Sequence, residues 1–235
     1  TLELLAYSPP GWGATLLRGL WNSVLIATGA YALGLLIGTA GAYGKLYGSP
    51  LVKDLLSVYT TVVRAVPELV LILILYFAVT DAVNQIILAF GGNRIEISGV
   101  VAGIAVLGVV QGAYATEVLR GAILAVPTGQ IEAAKAMGMP AGLLARRITL
   151  PLMLSFAIPG LANLWLVATK DTALLAVVGF AELTQATRQA ASTTKAFFTF
   201  YAAAGVLYLV LSIASTMMFA RIEKWARRGQ RRTEG

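Results

Sequence analysis

Long apolar segments alternate with short polar ones along this chain. Five apolar segments approach or exceed the length of about 20 residues that a helix needs to cross a bilayer. The pattern predicts an all-α membrane protein with five transmembrane helices, built as one transmembrane domain over residues 1–235. The predicted spans are residues 19–43, 55–79, 97–116, 152–169 and 197–220.

The segments between these spans are less regular. We expect the fourth span to be interrupted at Pro159 and Gly160, and we expect surface helices over residues 82–90 and 182–195. The apolar segment 173–180 is too short to span alone. It is interpreted either as a re-entrant segment or as an extension of the fourth helix.

Composition supports a membrane protein and disfavours an enzyme. The chain is 58% hydrophobic and 12% charged, and it contains no Cys and no His. The commonest metal ligand and general base is therefore absent, and we predict neither a catalytic residue nor a metal site. No Gly-x-x-x-x-Gly-Lys-Ser/Thr motif occurs, so the chain is not expected to hydrolyse ATP itself. A cleavable signal peptide is not expected, because Glu3 stands where such signals are basic.

The net charge is +7, and its distribution predicts the orientation. With five spans, twelve of the 18 Lys and Arg residues lie on one side and five on the other, with Arg64 inside the second span. The side richer in Lys and Arg is cytoplasmic. This places the N-terminus in the periplasm and the C-terminus in the cytoplasm. The basic tail, residues 221–235, is expected near anionic lipid, and a nucleic-acid partner is disfavoured.

Two charges lie inside the predicted second span. Charge within a span is costly and marks a candidate functional site. Glu68 lies roughly 20 Å into the helix, near the midplane, beside the helix-breaking Pro67. Arg64 is one turn earlier, on the same predicted face. Either the two charges neutralise each other, or Glu68 meets a cationic group and Arg64 a carboxylate, as a free amino acid would require.

Other polar residues on the spans are weaker candidates for the substrate path. Each also has a structural interpretation. Asp171 could form a solvated pair with Lys170, and the other four could form hydrogen bonds between helices. Glu117 and Arg120, at the cytoplasmic end of the third span, are expected to form structure or a gate. The path candidates are Gln111, Tyr114, Asn163, Trp165 and Asp171.

The connection 129–150 predicts two short helices, over residues 130–137 and 141–148. Gly138 and Pro140 separate them, because Gly permits a turn and Pro removes a backbone donor. Such a cytoplasmic projection either docks on a soluble partner or lies on lipid headgroups.

The same connection resembles the "EAA loop" of bacterial ABC-importer permeases. All seven motif positions are filled at the family spacing, and the basic Arg146 lies between them. The resemblance implies a type I, MetI-like permease fold in the bacterial inner membrane, with this loop coupled to a cytoplasmic dimer of ATP-binding subunits. It also implies a homologous second permease subunit and a periplasmic amino-acid-binding protein, with ATP and Mg²⁺ held by the ATPase and no cofactor in this chain. The motif residues are Glu132, Ala133, Ala134, Gly138, Ile148, Leu150 and Pro151.

A closer resemblance concerns the substrate. The segments 64–69, 113–122 and 170–174 are similar to those of polar amino-acid permeases, although Ala65 replaces the usual Gly. An acid after the motif proline, here Glu68, resembles the histidine/lysine/arginine/ornithine and opine branch. This resemblance implies a basic amino acid or an arginine-derived opine as substrate.

Two other classes of protein are weighed against the importer subunit. An ion-gradient-driven secondary transporter would use Glu68 as an ion site, but five spans without an internal repeat disfavour it. A passive membrane scaffold has no need of Arg64 and Glu68 within a span.

Overall fold

The computed structural model describes residues 2–93 and 98–227. Within these ranges every regular element is helical, which confirms the predicted all-α class. Besides the α-helices, these ranges contain three other helical elements. They are 3-10 helices at Leu2–Leu5 and Thr172–Val178 and a π-helical turn at Ala145–Thr149. The α-helices are α1 (Gly13–Tyr47), α2 (Pro50–Ala65), α3 (Glu68–Ala89), α4 (Gly99–Leu124), α5 (Thr128–Ala136), α6 (Ala141–Leu144), α7 (Leu150–Asp171), α8 (Leu183–Thr194) and α9 (Phe197–Ala226).

Five stretches of the described chain are long and apolar enough to cross a membrane, as predicted. They are α1, α3, α4, the segment Ala141–Val178 that contains α7, and α9. The helices α1, α4, α7 and α9 run past at least one predicted boundary. Because polar residues at a helix end can still hydrogen-bond along the backbone, hydropathy alone underestimates helix length. Arg94, Ile97 and the basic residues from Arg228 onward lie outside the described residues.

The predicted second span, residues 55–79, is wrong as a single helix. Helix α2 ends at Ala65, Val66 has extended backbone angles, and α3 begins at Glu68. Pro67 explains the break, because proline disfavours helical geometry in the preceding residue and has no N–H to donate. Arg64 and Glu68 therefore belong to different helices, and their predicted one-turn spacing on a common face is also wrong. The predicted surface helix at 82–90 is the last part of α3.

The fourth span is more continuous than predicted. Helix α7 passes through Pro159 without ending, so the expected interruption is wrong. The segment after it continues as the 3-10 helix Thr172–Val178, which agrees with the extension and not with a re-entrant loop. This extension ends at Gly179, whose φ of +85° is a left-handed conformation that suits glycine.

Helices α1 and α4 form the centre of the bundle. Four glycines on α1, the first of them Gly29, face α4, so that the two helices approach closely, as small residues allow in membranes. A Cβ atom at Gly38 would lie 2.4 Å from the Cβ of Ala115 on α4. Gly34 and Gly41 face Gln111 and Thr116 in the same way.

Helix α8, which covers the predicted surface segment 182–195, is amphipathic and only partly exposed. Its apolar side, with Leu183 and Ala190 fully buried, packs against α1 and α9. The helix therefore closes one end of the bundle. At this end Asn22 of α1 donates a hydrogen bond of 2.6 Å to the carbonyl of Ala181.

Candidate substrate site and coupling surface

Four of the predicted path residues meet where α3, α4 and α7 converge. The Tyr114 hydroxyl donates to Glu68 Oε1 at 3.3 Å, and Gln111 Nε2 donates to Asp171 Oδ2 at 3.4 Å. The carboxyl groups of Glu68 and Asp171 lie close enough to influence each other electrostatically. The break at Pro67 makes this possible, because it places Glu68 in the first turn of α3. We call Glu68, Gln111, Tyr114 and Asp171 the acidic cluster.

Arg64 lies at the border of the acidic cluster. It is the penultimate residue of α2, its side chain is exposed, and it acts electrostatically on Tyr114. The ion pairs of the described chain do not include one between Arg64 and Glu68. Mutual neutralisation of these two charges, one of the two interpretations of the sequence, is therefore not the arrangement observed.

The acidic cluster lies near mid-height of the bundle. Tyr114 is two to three residues from the midpoint of α4, which runs from Gly99 to Leu124. Gln111 is 1% exposed, and its Oε1 atom has no hydrogen-bond partner. A buried amide oxygen without a partner is costly, and a bound hydrogen-bond donor would relieve that cost.

The other two path candidates lie elsewhere. The indole N–H of Trp165 donates to Ser215 Oγ of α9 at 2.8 Å, and its ring packs edge-on against Tyr31 of α1. Trp165 thus joins three helices, which was the structural alternative for it. Asn163 is exposed, and among the described contacts none joins it to the acidic cluster.

The predicted coupling loop forms a compact projection. Helix α5 carries the exposed Glu132 and Ala133, while Ala134 packs inward. Gly138 turns the chain with φ +74°, and α6 continues through the π-helical turn Ala145–Thr149 into α7. The two predicted helices are therefore present, although the second is continuous with the fourth span.

A shallow groove lies between α5 and the π-helical turn. Its lining is mostly apolar and includes the strongly exposed Met137. Arg146 is exposed beside it, Ile148 is half-buried in its wall, and Leu150 and Pro151 are exposed where α7 begins.

A buried carboxylate at the opposite end of the bundle was not predicted. Glu182 is 0% exposed and caps α8, accepting from the backbone N–H groups of Thr184 and Gln185 at 2.8 and 2.7 Å. The Tyr208 hydroxyl donates to the same carboxylate at 3.2 Å. Burial raises the pKa of Glu182, and these hydrogen bonds oppose the rise. Glu is not a favoured N-cap residue, so nothing in the sequence indicated this role.

An ion-pair network at the coupling-loop end of α4 gives Glu117 and Arg120 a defined place. Glu117 accepts from Arg120 at 2.9 Å and from Lys45 of α1 at 2.6 Å. The participation of Lys45 was missed, because no local spacing relates residues 45 and 117.

Comparison with known proteins identifies the chain. Residues 30–228 match the family described as the binding-protein-dependent transport system inner membrane component. The chain belongs to this family. It is 43% identical over 232 residues to the nopaline transport system permease protein NocQ of Agrobacterium fabrum, which covers 98% of both chains. It is also 39% identical over 214 residues to the histidine/lysine/arginine/ornithine permease HisQ of Escherichia coli, covering 91% of this chain and 94% of HisQ.

Solved structures agree with this family assignment. An amino acid ABC transporter crystallised with histidines matches with a TM-score of 0.77 and 28% identity, over 91% of this chain and 94% of that one. A methionine ABC transporter, MetNI, in an inward-facing conformation matches with a TM-score of 0.75 and 22% identity, over 94% of this chain and all of that one. The second likeness supports the MetI-type fold alone.

The chain is therefore a multi-pass membrane permease subunit of an ABC importer. Such subunits work with an ATPase and a substrate-binding protein. The family supports this function and not the ion-gradient-driven alternative.

Proposed function

We propose that this permease subunit imports a basic amino acid, or an opine that carries an arginine side chain, across the bacterial inner membrane. The observation that carries the proposal is the acidic cluster at mid-height of the bundle. The relatives whose names mention nopaline, octopine and histidine/lysine/arginine/ornithine support the same substrate class.

Charge complementarity favours a cationic substrate. Glu68 and Asp171 bring two carboxyl groups together, and Arg64 is the nearby cation. A basic amino acid has two cationic groups and one carboxylate, which is the reverse distribution. A guanidinium or ammonium group between Glu68 and Asp171 would separate two groups that otherwise repel, while Arg64 receives the substrate carboxylate.

Hydrogen bonding supports the same position. The unpaired Oε1 of Gln111 can accept from an N–H donor, and a guanidinium group has five such donors in a planar fork. Tyr114 holds Glu68 in place from α4. The cluster is thus built to accept donors, which favours the cationic end of the substrate over a neutral side chain.

Removal of the Glu68 charge tests this proposal. Glu68→Gln should raise the half-saturating concentration of arginine for uptake by about 10- to 100-fold, since a hydrogen bond to a charged group contributes about 1.5–3 kcal/mol. Docking of the ATPase should be unchanged. The matched control is Asp54→Asn, which neutralises an exposed carboxylate on α2. Uptake kinetics that are the same for wild type and Glu68→Gln would contradict the proposed site.

We also propose that the projection formed by α5, α6 and the π-helical turn docks in the cytoplasmic ATPase dimer, which holds ATP and Mg²⁺. A homologous permease subunit completes a heterodimer. The exposure of Glu132 and Met137 and the apolar groove beside them support a protein partner over lipid headgroups. ATP-driven closure of the ATPase dimer would then move the projections of both subunits together.

Co-purification in mild detergent tests the docking. Glu132→Arg should abolish recovery of ATPase activity with the permease, because it reverses an exposed charge at the contact. Glu223→Arg, at a partly exposed acid on the same side near the end of α9, is the control and should retain the ATPase. Equal recovery from both variants would refute the docking surface.

A further inference from the structure

Lys45 joins three helices at the coupling-loop end of the bundle. Its Nζ atom lies 2.6 Å from Glu117 Oε1 on α4 and donates to Thr60 Oγ1 on α2 at 2.9 Å. The other Glu117 oxygen binds Arg120. The Lys45 and Glu117 side chains are 13% and 18% exposed, so this pair is shielded better than an ordinary surface ion pair.

The end of α2 depends on such side-chain contacts. Because the helix breaks at Val66, no helical hydrogen bonds hold α2 in line with α3. Beside Thr60, the Tyr59 hydroxyl donates to the carbonyl of Val109 on α4. Val63 packs against α4 one turn later. These contacts fix the last two turns of α2, which carry Arg64.

Helix α4 connects this junction to both functional regions. It carries Gln111 and Tyr114 of the acidic cluster, then Glu117, and it ends at Leu124, with three residues between it and the start of α5. A movement of the coupling projection therefore reaches Glu117 before it reaches the cluster.

We propose that Lys45 is a positioning residue for substrate transport. By bridging Thr60 and Glu117 it holds the Arg64-bearing end of α2 on α4, and it carries movement of α4 to Arg64. The role of Arg64 toward substrate rests on the proposed function, whereas the positioning of α2 does not.

A distance measurement tests the positioning directly. The chain has no cysteine, so spin labels can be attached to T61C on α2 and G121C on α4, both exposed sites, once any cysteines of the partner subunits are replaced. In the assembled complex, Lys45→Met should broaden the distance distribution between the labels. Glu223→Gln removes a partly exposed ion pair on α9 and is the matched control, which should leave the distribution unchanged.

Activity gives the second readout. Lys45→Met should raise the half-saturating arginine concentration for transport about tenfold, which is within the range expected of residues that couple two sites. Basal ATPase activity should stay unchanged. Lys45→Arg keeps the charge and should recover most of the loss. If Lys45→Met fails to assemble, Thr60→Val removes the α2 contact alone and is measured in the same two assays.

The inference is overturned if the distance distribution is unchanged in assembled Lys45→Met. The same holds for Thr60→Val where that variant is used instead. A transport defect that Lys45→Arg shares in full also overturns the inference. If Glu68→Gln leaves uptake unchanged, the proposed substrate site fails, and the label distances still decide whether Lys45 positions α2.

Discussion

The close contact between α1 and α4 predicts a large effect from adding one methyl group. An alanine at Gly38 would place its Cβ 2.4 Å from the Cβ of Ala115 and 2.9 Å from the Ala115 carbonyl carbon. Carbon atoms in good contact lie about 3.5–4.0 Å apart. The Ala115 methyl is attached directly to the backbone and cannot rotate away. The two helices must therefore separate by about 1 Å to reach that distance.

The expected cost follows from overpacking. Extra methyl groups in a packed core cost about 1–3 kcal/mol. Replacing Gly by Ala within a helix offsets about 0.5–1 kcal/mol of this. Gly121→Ala on α4 isolates that offset, because a Cβ there meets nothing within 4 Å. We therefore expect Gly38→Ala to be about 1–3 kcal/mol less stable than Gly121→Ala.

Thermal unfolding of the purified complex in detergent measures this difference. For a chain of this size, 1 kcal/mol corresponds to about 2–4 °C in Tm, so Gly38→Ala should unfold about 2–12 °C below Gly121→Ala. If Gly38→Ala unfolds at the same temperature as Gly121→Ala or higher, the reasoning from close helix contact is refuted.

Three further predictions concern the coupling loop, the buried carboxylate and the helix contacts. Gly138→Ala should weaken ATPase docking by about fivefold, since a left-handed φ costs a residue with a side chain roughly 1 kcal/mol. Gly138→Asn should weaken docking less, and a titration of the ATPase against both variants measures the difference. Because burial raises the pKa of Glu182, its stabilising contribution is present at low pH and is lost as pH rises through the raised pKa. The Tm of wild type relative to Glu182→Gln should therefore fall as pH rises from about 4.3, and a pH-independent difference would contradict this. Trp165→Phe leaves Ser215 without its donor and should cost about 1 kcal/mol in unfolding free energy, part of which Ser215→Ala in the same chain should restore.

Hydropathy and local chemistry determined most of the secondary structure. Apolar length gave five spans, because a helix is the form in which a single segment satisfies its own backbone in lipid. The turn at Gly138 and the two short helices around it were predicted because Gly and Pro act on their immediate neighbours. Pro67 was recognised as a helix breaker within the second span, and the observed break lies beside it, at Val66. Hydropathy on both sides favoured one span, so the separation into two helices was not predicted.

Contacts between distant residues were decided by the tertiary structure. The sequence selected Glu68, Gln111, Tyr114 and Asp171 separately, and the packing of α3, α4 and α7 brought them together. The same packing left Asn163 and Trp165 outside.

The sequence by itself thus determined which segments are helical and which residues carry unusual charge, because both depend on local composition and on the cost of charge in lipid. Tertiary structure decided which of those charges meet. The ion pair between Lys45 and Glu117 and the hydrogen bond from Tyr208 to Glu182 join residues that are 72 and 26 positions apart. Such pairs form because helix packing sets their distance, and no periodicity along the chain records it.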